Sequence, residues 1–280
     1  MDIQALAQFN MMLAAVTRGN GYHARREIAD IQREAARDPK RVEPFGFKVY
    51  SQGDEDGVIE EIFRRLNIST GTFCEIGVQN GLECNTLYLL HKGWRGSWVE
   101  GDRNQMEPIR NHFHSILEKQ LGVYFSYVSA ENMNEVMRTA VKDPDALDFL
   151  SIDIDGNDIW LLDALSYKPK VICIEYNGKF PANLSKKPVY DPTHSWNGTD
   201  YMGSSLKALC EVANAKGYRL VGTNVTGANA FFVRNDLAGH HFCQDASAEN
   251  LYNPVRYHLI FDHYQHIGHR AGFGPYTDLV

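Results

Sequence analysis

Acidic residues cluster at two places in the second half of the chain. Asp153 and Asp155 stand two apart, with Asp158 three further on, and Glu175 stands two before Asn177. Residues two apart on an extended strand share a face, so each pair presents its polar groups together. Carboxylates gathered at neighbouring strand ends need compensation by a cation, a bound proton or a cationic ligand. Three chemistries are open to them. Asp155 and Asp158 can serve as turn and cap residues, with Gly156 allowing a sharp turn. Asp153 or Glu175 can act as a general base or orient a substrate hydroxyl. A hard divalent cation such as Mg²⁺ can be held by Asp153, Glu175 and Asn177, leaving open positions for substrate oxygens.

Further upstream, Glu75-Ile76-Gly77-Val78-Gln79-Asn80-Gly81 leaves an apolar run and enters a helical one. Gly77 and Gly81 permit a tight turn and close approach of backbone to a ligand. The next apolar run ends in Glu100-Gly101-Asp102, where an acid can accept hydrogen bonds from both hydroxyls of a ribose. Together the turn and the acid favour a nucleoside-containing ligand. A dinucleotide turn requires glycine where Gln79 stands. The carboxylate of Glu75 suits an amine or sulfonium and repels a diphosphate. S-adenosylmethionine therefore fits better than a nicotinamide dinucleotide.

The stretch 178–203 is long, irregular and mixed in character, holding Tyr190, His194, Trp196, Asn197, Asp200 and Tyr201. Aromatic and hydrogen-bonding side chains on a long loop above a sheet are the usual material of a substrate lid, here suited to a sugar or polyhydroxylated ring. His194 is the histidine placed to act as a base at neutral pH, with simple loop hydrogen bonding as the alternative.

Alternating elements position these groups. Apolar runs at 72–78, 96–102, 123–130, 148–155 and 170–177 predict strands, with helices over 82–92, 105–119, 132–141 and 158–165 between them. A helix over 204–216 precedes strands at 218–224 and 229–235. The first five strands lack clean alternation, as expected for a parallel sheet covered on both faces. Four residues separate the last two, too few for a parallel crossover, so the last strand is antiparallel. The expectation is a seven-stranded Rossmann-like α/β sheet over 46–280, with a lid insertion at 178–203 and a tail from 236. Residues 1–45 read as a helical appendage, a hairpin of helices over 3–17 and 23–37 parted by Gly19-Asn20-Gly21. Its alternatives are packing or dimerisation on one side and a lid on the other. The tail, with Tyr257, Phe261 and Tyr264 among His263, His266 and His269, reads as a packing or subunit-contact helix rather than a metal site.

Composition narrows the partners. The 280 residues are 44% hydrophobic and 22% charged, and 28 basic against 35 acidic side chains argue against nucleic acid as a partner. Five irregularly spaced cysteines read as reduced core thiols. Asp2 stands where a secretory signal carries Lys or Arg, and no apolar run is long enough to span a membrane, so the expectation is a soluble cytoplasmic protein.

Several strings resemble the FkbM-like methyltransferases, within the class I S-adenosylmethionine-dependent methyltransferase fold. They are Tyr50-Ser51-Gln52-x-Asp54-Glu55-Asp56-Gly57, the turn from Glu75 to Gly81, Gly93-Trp94-Arg95-Gly96 and Val99-Glu100-Gly101-Asp102. Ser151-Ile152-Asp153-Ile154-Asp155-Gly156-x-Asp158, Ile174-Glu175-Tyr176-Asn177, Gly203-Ser204-Ser205-Leu206, Lys216-Gly217-Tyr218 and Asn229-Ala230-Phe231-Phe232-Val233 extend the match over about 50–235.

The resemblance implies methyl transfer from S-adenosylmethionine to an oxygen of a sugar or small secondary metabolite. By it, Glu75, Gly77 and Gly81 cradle the methionine part, with Gln52 and Asp153 also at the cofactor. Glu100 holds the ribose, with Asp102 as substitute, and Ala130 and Glu131 line the adenine. Asp155, Tyr176, Asn177 and Trp196 face the acceptor, and Asp153, Glu175 and His194 carry the proton chemistry. The family often has Asp where Glu75 stands, which changes the reach to the amine. Against this stand a nicotinamide oxidoreductase and a non-catalytic cofactor-binding or scaffold protein on the same sheet. A homo-oligomer through the N-terminal helices or the tail completes the expectations.

Overall fold

The computed structural model describes residues 3–260, 272–274 and 276. Strands β1 (Thr72–Ile76), β2 (Arg95–Glu100), β3 (Leu121–Phe125), β4 (Phe149–Ile152), β5 (Val171–Glu175), β6 (Tyr218–Thr223) and β7 (Asn229–Arg234) form one sheet in the order β3-β2-β1-β4-β5-β7-β6. All neighbours are parallel except β7, which runs antiparallel to both β5 and β6. This is the class I methyltransferase fold expected from the sequence. The short β6–β7 connection is closed by Asn224, whose Oδ1 accepts from the N–H groups of Ala228 and Asn229.

Every residue of β4 and β5 is buried, because helices cover both faces. Alternation along β1 sends Phe73 to one core layer with Trp98 and Phe149, and Cys74 and Ile76 to the other with Leu150 and Ile172. All five cysteines are buried and unpaired, as expected for core thiols. Strand order reverses direction between β1 and β4, so the carboxyl ends of these two strands open the crevice in which ligands of such sheets bind.

Two local expectations are corrected. The N-terminal region is not a hairpin but a single helix, α1 (Ile3–Ala35), in which neither Gly19 nor Gly21 has positive φ. Glycine weakens a helix by about 1 kcal/mol without forbidding it, and no proline precedes Pro39. The helix expected over 82–92 is only a short one, Leu87–His91, because the Glu75 carboxylate binds the amides of Asn85 and Thr86 and holds the chain before it in turns. The histidines at 263, 266 and 269, with Phe261 and Tyr264, lie outside the described residues. Among the described residues no helix is long and apolar enough to cross a membrane.

Candidate active site

The turn after β1 is built by two neighbours. Gly77 has φ +84°, and a Cβ there would lie 1.7 Å from the backbone oxygen of Asp153 at the end of β4. Only glycine lets these two chain segments meet so closely. Glu100, at the end of β2, accepts from Val78 N–H (3.0 Å) and Gln79 N–H (2.6 Å) through Oε2 and from Asp102 N–H (2.7 Å) through Oε1. A carboxylate offers about four acceptor sites, so one remains for a ligand. Asp102 spends Oδ1 on capping Asn104 N–H. Gly81 also has positive φ, but it faces the rings of Trp98 and Phe113 and does not line the cleft. Its glycine answers to core packing.

Glu75 accepts from Asn85 N–H (2.9 Å), Thr86 N–H (3.0 Å) and the Thr86 hydroxyl (2.5 Å). Burial pushes its carboxyl up to about 7 against these lowering bonds. Like Glu100 it shapes the wall and has one acceptor site left over.

The acidic pole forms where β4 and β5 end. Asp153, Asp155 and Glu175 each offer an oxygen within 4.8 Å of the others. Burial first, then neighbouring carboxylates, push Asp153 and Glu175 well above the usual carboxylate range. Groups this close bind protons jointly, so shared protons substitute for a counter-ion. Asp158 stands behind the pole: Oδ1 accepts from Ile154 N–H and Oδ2 from Gly156 N–H, both at 2.9 Å. It is the staple of the turn that holds Asp155 at φ +56°. Burial raises its carboxyl to about 6.

Three buried polar atoms around this pole have no hydrogen-bond partner: Glu175 Oε2, His194 Nε2 and Asn229 Oδ1. All three residues line the same cleft. Glu175 and Asn229 are cross-strand partners on β5 and β7, while His194 descends from the lid onto Gly156. A buried unpaired polar atom costs about 1–3 kcal/mol, and three converging on one space mark a place for a ligand's hydrogen-bonding groups.

Two expected site residues point elsewhere. Tyr176 lies on the opposite face of β5 from Glu175, fully buried, with its hydroxyl donating to Asn253 O (2.5 Å). Asn177 donates through Nδ2 to Asp200 O (2.9 Å) and accepts from Lys179 N–H through Oδ1, so its side chain braces the loop and leaves the acidic pole. Asp155 takes its place in the candidate metal set.

The lid is sewn to the loop after β3. Tyr127 donates to His194 O (2.5 Å), and Tyr190 donates to Glu131 Oε2 (2.5 Å) while accepting from Ala130 N–H (3.1 Å). Asn157 and Trp160 hold the backbone of Asp191 and Pro188. Ala130 and Glu131 therefore anchor the lid and are not part of the cleft wall, to which Ser126, Tyr127 and Val128 contribute. Trp196 and Gln52 line the cleft with their expected neighbours.

The cleft measures about 1790 Å³. Glu75, Glu100, Asp153 and Glu175 line it at strand ends, and Glu83, Asp102, Asp155 and Asp200 line it from loops. The one Lys or Arg among its described lining residues is Lys48, which pairs with Glu83 at 3.3 Å. Sequence inspection missed Lys48, Tyr127 and Asn229. Asn229 carried a signal, since it opens the strand that pairs with Glu175; the other two carry none without the fold.

No protein-family model matches the sequence, and no curated protein matches it at a significant level. Solved structures with a similar chain course include an O-methyltransferase from Bacillus cereus in complex with S-adenosylhomocysteine (15% identity, 75% of this chain and 89% of that one, TM-score 0.41). A second is an S-adenosylmethionine-dependent methyltransferase from Aquifex aeolicus (14%, 73% and 96%, TM-score 0.39). A third is the N-terminal domain of EvdMO1 with S-adenosylhomocysteine and D-fucose (14%, 73% and 94%, TM-score 0.42). The strand order, and not these distant likenesses, defines the fold of this chain.

Proposed function

We propose that this chain is an FkbM-like, S-adenosylmethionine-dependent methyltransferase that alkylates a hydroxyl of a sugar or small secondary-metabolite acceptor. The observation that carries this reading is the acidic lining of the cleft: eight carboxyl groups, some sharing protons and Asp200 paired with Lys179, face one lysine that is itself ion-paired. A sulfonium and an ammonium are favoured in such a field, whereas the diphosphate of a nicotinamide dinucleotide is repelled. The volume exceeds the 300–1,000 Å³ of ordinary single-ligand pockets, leaving room for a cofactor and an acceptor together.

S-adenosylmethionine, when bound, supplies an electrophilic methyl group. Glu75 would hold the amine of its methionine part, and Glu100 would offer its remaining acceptor site to the ribose. The acceptor lies against Glu175 Oε2, Asn229 Oδ1 and His194 Nε2, with Trp196 above. These groups orient the attacking oxygen, and orientation supplies much of the acceleration in a direct displacement. The acceptor proton passes to Glu175, Asp153 or His194; burial makes the two carboxylates stronger bases than free ones once ionised.

Asp153, Asp155 and Glu175 also offer a hard divalent cation such as Mg²⁺ three oxygen ligands, since one oxygen of each lies within 4.8 Å of the others and Glu175 Oε2 has no protein partner. Such an ion would neutralise the pole and bind acceptor oxygens. Calorimetric titration with S-adenosylhomocysteine, with and without Mg²⁺, tests both parts. Micromolar binding is expected, strengthened by Mg²⁺ when an acceptor diol is present. No binding at millimolar ligand by the folded protein sinks the cofactor assignment.

A further inference from the structure

S-adenosylmethionine and S-adenosylhomocysteine both end in an amino acid, so each brings a carboxylate as well as an amine into the cleft. On the reading above, Glu75 holds the amine. The carboxylate meets the same acidic lining that favours the amine, and it needs a donor or a cation of its own.

The backbone of the turn after β1 does not supply one. Gly77 N–H donates to Val99 O (2.9 Å) and Gly81 N–H to Val78 O (2.8 Å). Val78 and Gln79 N–H are held by Glu100, and Leu82 N–H by Asn80 Oδ1 (3.0 Å). Turns that bind anions do so through free amides, and these are engaged. Among the described lining residues, the side chains able to carry positive charge are Lys48 and His194. His194 packs on Gly156 at the acidic pole. Lys48 stands beside the turn itself, where its Nζ meets Glu83 Oε1 at 3.3 Å and Gln52 O at 3.4 Å. Glu83 comes two residues before Asn85, whose amide donates to Glu75.

We propose that Lys48 anchors the cofactor's carboxylate: its ammonium pairs with the carboxylate of the methionine part while Glu75 takes the amine. This inference rests on the cofactor reading given under the proposed function. The backbone around Lys48 is fixed, since Gly57 N–H donates to Phe47 O (3.0 Å) and Asp56 Oδ2 accepts from Val49 N–H (2.6 Å) and Tyr50 N–H (2.7 Å). Its ammonium is held loosely, because both contacts are longer than the usual range of about 2.7–3.2 Å. An ammonium has three donors, so one is left for a ligand. Glu83 is a half-exposed partner, and ion pairs of that kind are weak. The Lys48 side chain itself is only 20% exposed, so a bound carboxylate would be little screened by salt. Such a pair makes the site selective for the intact amino acid over an aminopropyl tail.

The test is calorimetric titration of the full chain with S-adenosylhomocysteine and with its decarboxylated analogue, in which an aminopropyl group replaces the amino-acid tail. An acidic lining without an anchoring cation repels a carboxylate, so the sign of the preference is informative in the parent chain. S-adenosylhomocysteine should bind at least about 10-fold tighter, and a preference for the analogue overturns the inference. Lys48→Met should weaken S-adenosylhomocysteine by about 10–100-fold. The same variant should bind the analogue within about threefold of the parent chain, or tighter, which also shows that its site is folded. Equal loss of both ligands, or unchanged binding of both, overturns the inference. Lys48→Arg keeps the charge and should recover most of the affinity; an arginine variant no better than the methionine one overturns it too. A parent chain that binds neither ligand at millimolar concentration sinks the cofactor reading and the anchor with it. Micromolar S-adenosylhomocysteine binding without discrimination leaves that reading standing and removes Lys48 alone.

Discussion

Replacing Glu175 by Gln should make the protein more stable and much less active. Glu175 is buried, its Oε2 has no partner, and Asp153 and Asp155 offer oxygens within 4.8 Å of it. Two full charges at that distance repel by about 3.5 kcal/mol at an effective dielectric constant of about 20. Shared protons reduce this, so the isosteric amide should relieve about 1–3 kcal/mol at pH 8. For a chain of this size that is a rise of at least about 2 °C in the thermal midpoint.

The sign with pH follows from the raised carboxyl. The folded state holds a proton that the unfolded state releases near its ordinary value of 4.5, so native stability falls as pH rises through that window. The gain in Glu175→Gln should therefore be larger at pH 8 than at pH 5. Thermal melts at both pH values in chelator measure it, and methyl transfer should fall by at least about 100-fold in parallel. Millimolar Mg²⁺ should raise the midpoint of the parent chain more than that of the variant. A variant destabilised equally at both pH values would show that Glu175 has a structural partner, and the reasoning from an orphaned charge would fail.

Gly77→Ala should destroy S-adenosylhomocysteine binding in a calorimetric titration, because its Cβ meets the Asp153 carbonyl at 1.7 Å; retained micromolar binding would refute the close approach. Asp158→Ala should lower stability by about 1–3 kcal/mol in urea unfolding, through one buried and one half-buried amide left unpaired. Tyr190→Phe should raise KM for the acceptor by loosening the lid, while Glu131→Gln leaves the affinity for S-adenosylhomocysteine within about twofold; a large loss in the latter would return Glu131 to the adenine wall. The double variant Asp153→Asn with Glu175→Gln should abolish turnover, and unchanged turnover would remove both from catalysis.

Local sequence specifies the sheet. Apolar runs too unbroken for a half-exposed strand, and a four-residue link too short for a crossover, are local facts that leave one arrangement of the last two strands. It also placed Asp153 and Glu175 at neighbouring strand ends, whereas Asp155 joins them through a turn at φ +56° and Asn177, at the same spacing from Glu175, does not. Tertiary contacts decided the rest. Tyr176 and Glu175 are adjacent in sequence, and the pleat sends one to the core and the other to the cleft. Asn177 has the right chemistry for a ligand set but is captured by the backbone of Asp200, a partner 23 residues away. Ala130 and Glu131 follow the strand where an adenine wall would stand, yet the hydroxyl of Tyr190 holds them to the lid. Gly19 and Gly21 carry a break signal that the continuous helix overrides, since glycine's helix penalty is small and no proline enforces a break. Hydrogen-bond partners remote in the chain exert no pattern on local sequence, and so only the folded structure assigns them.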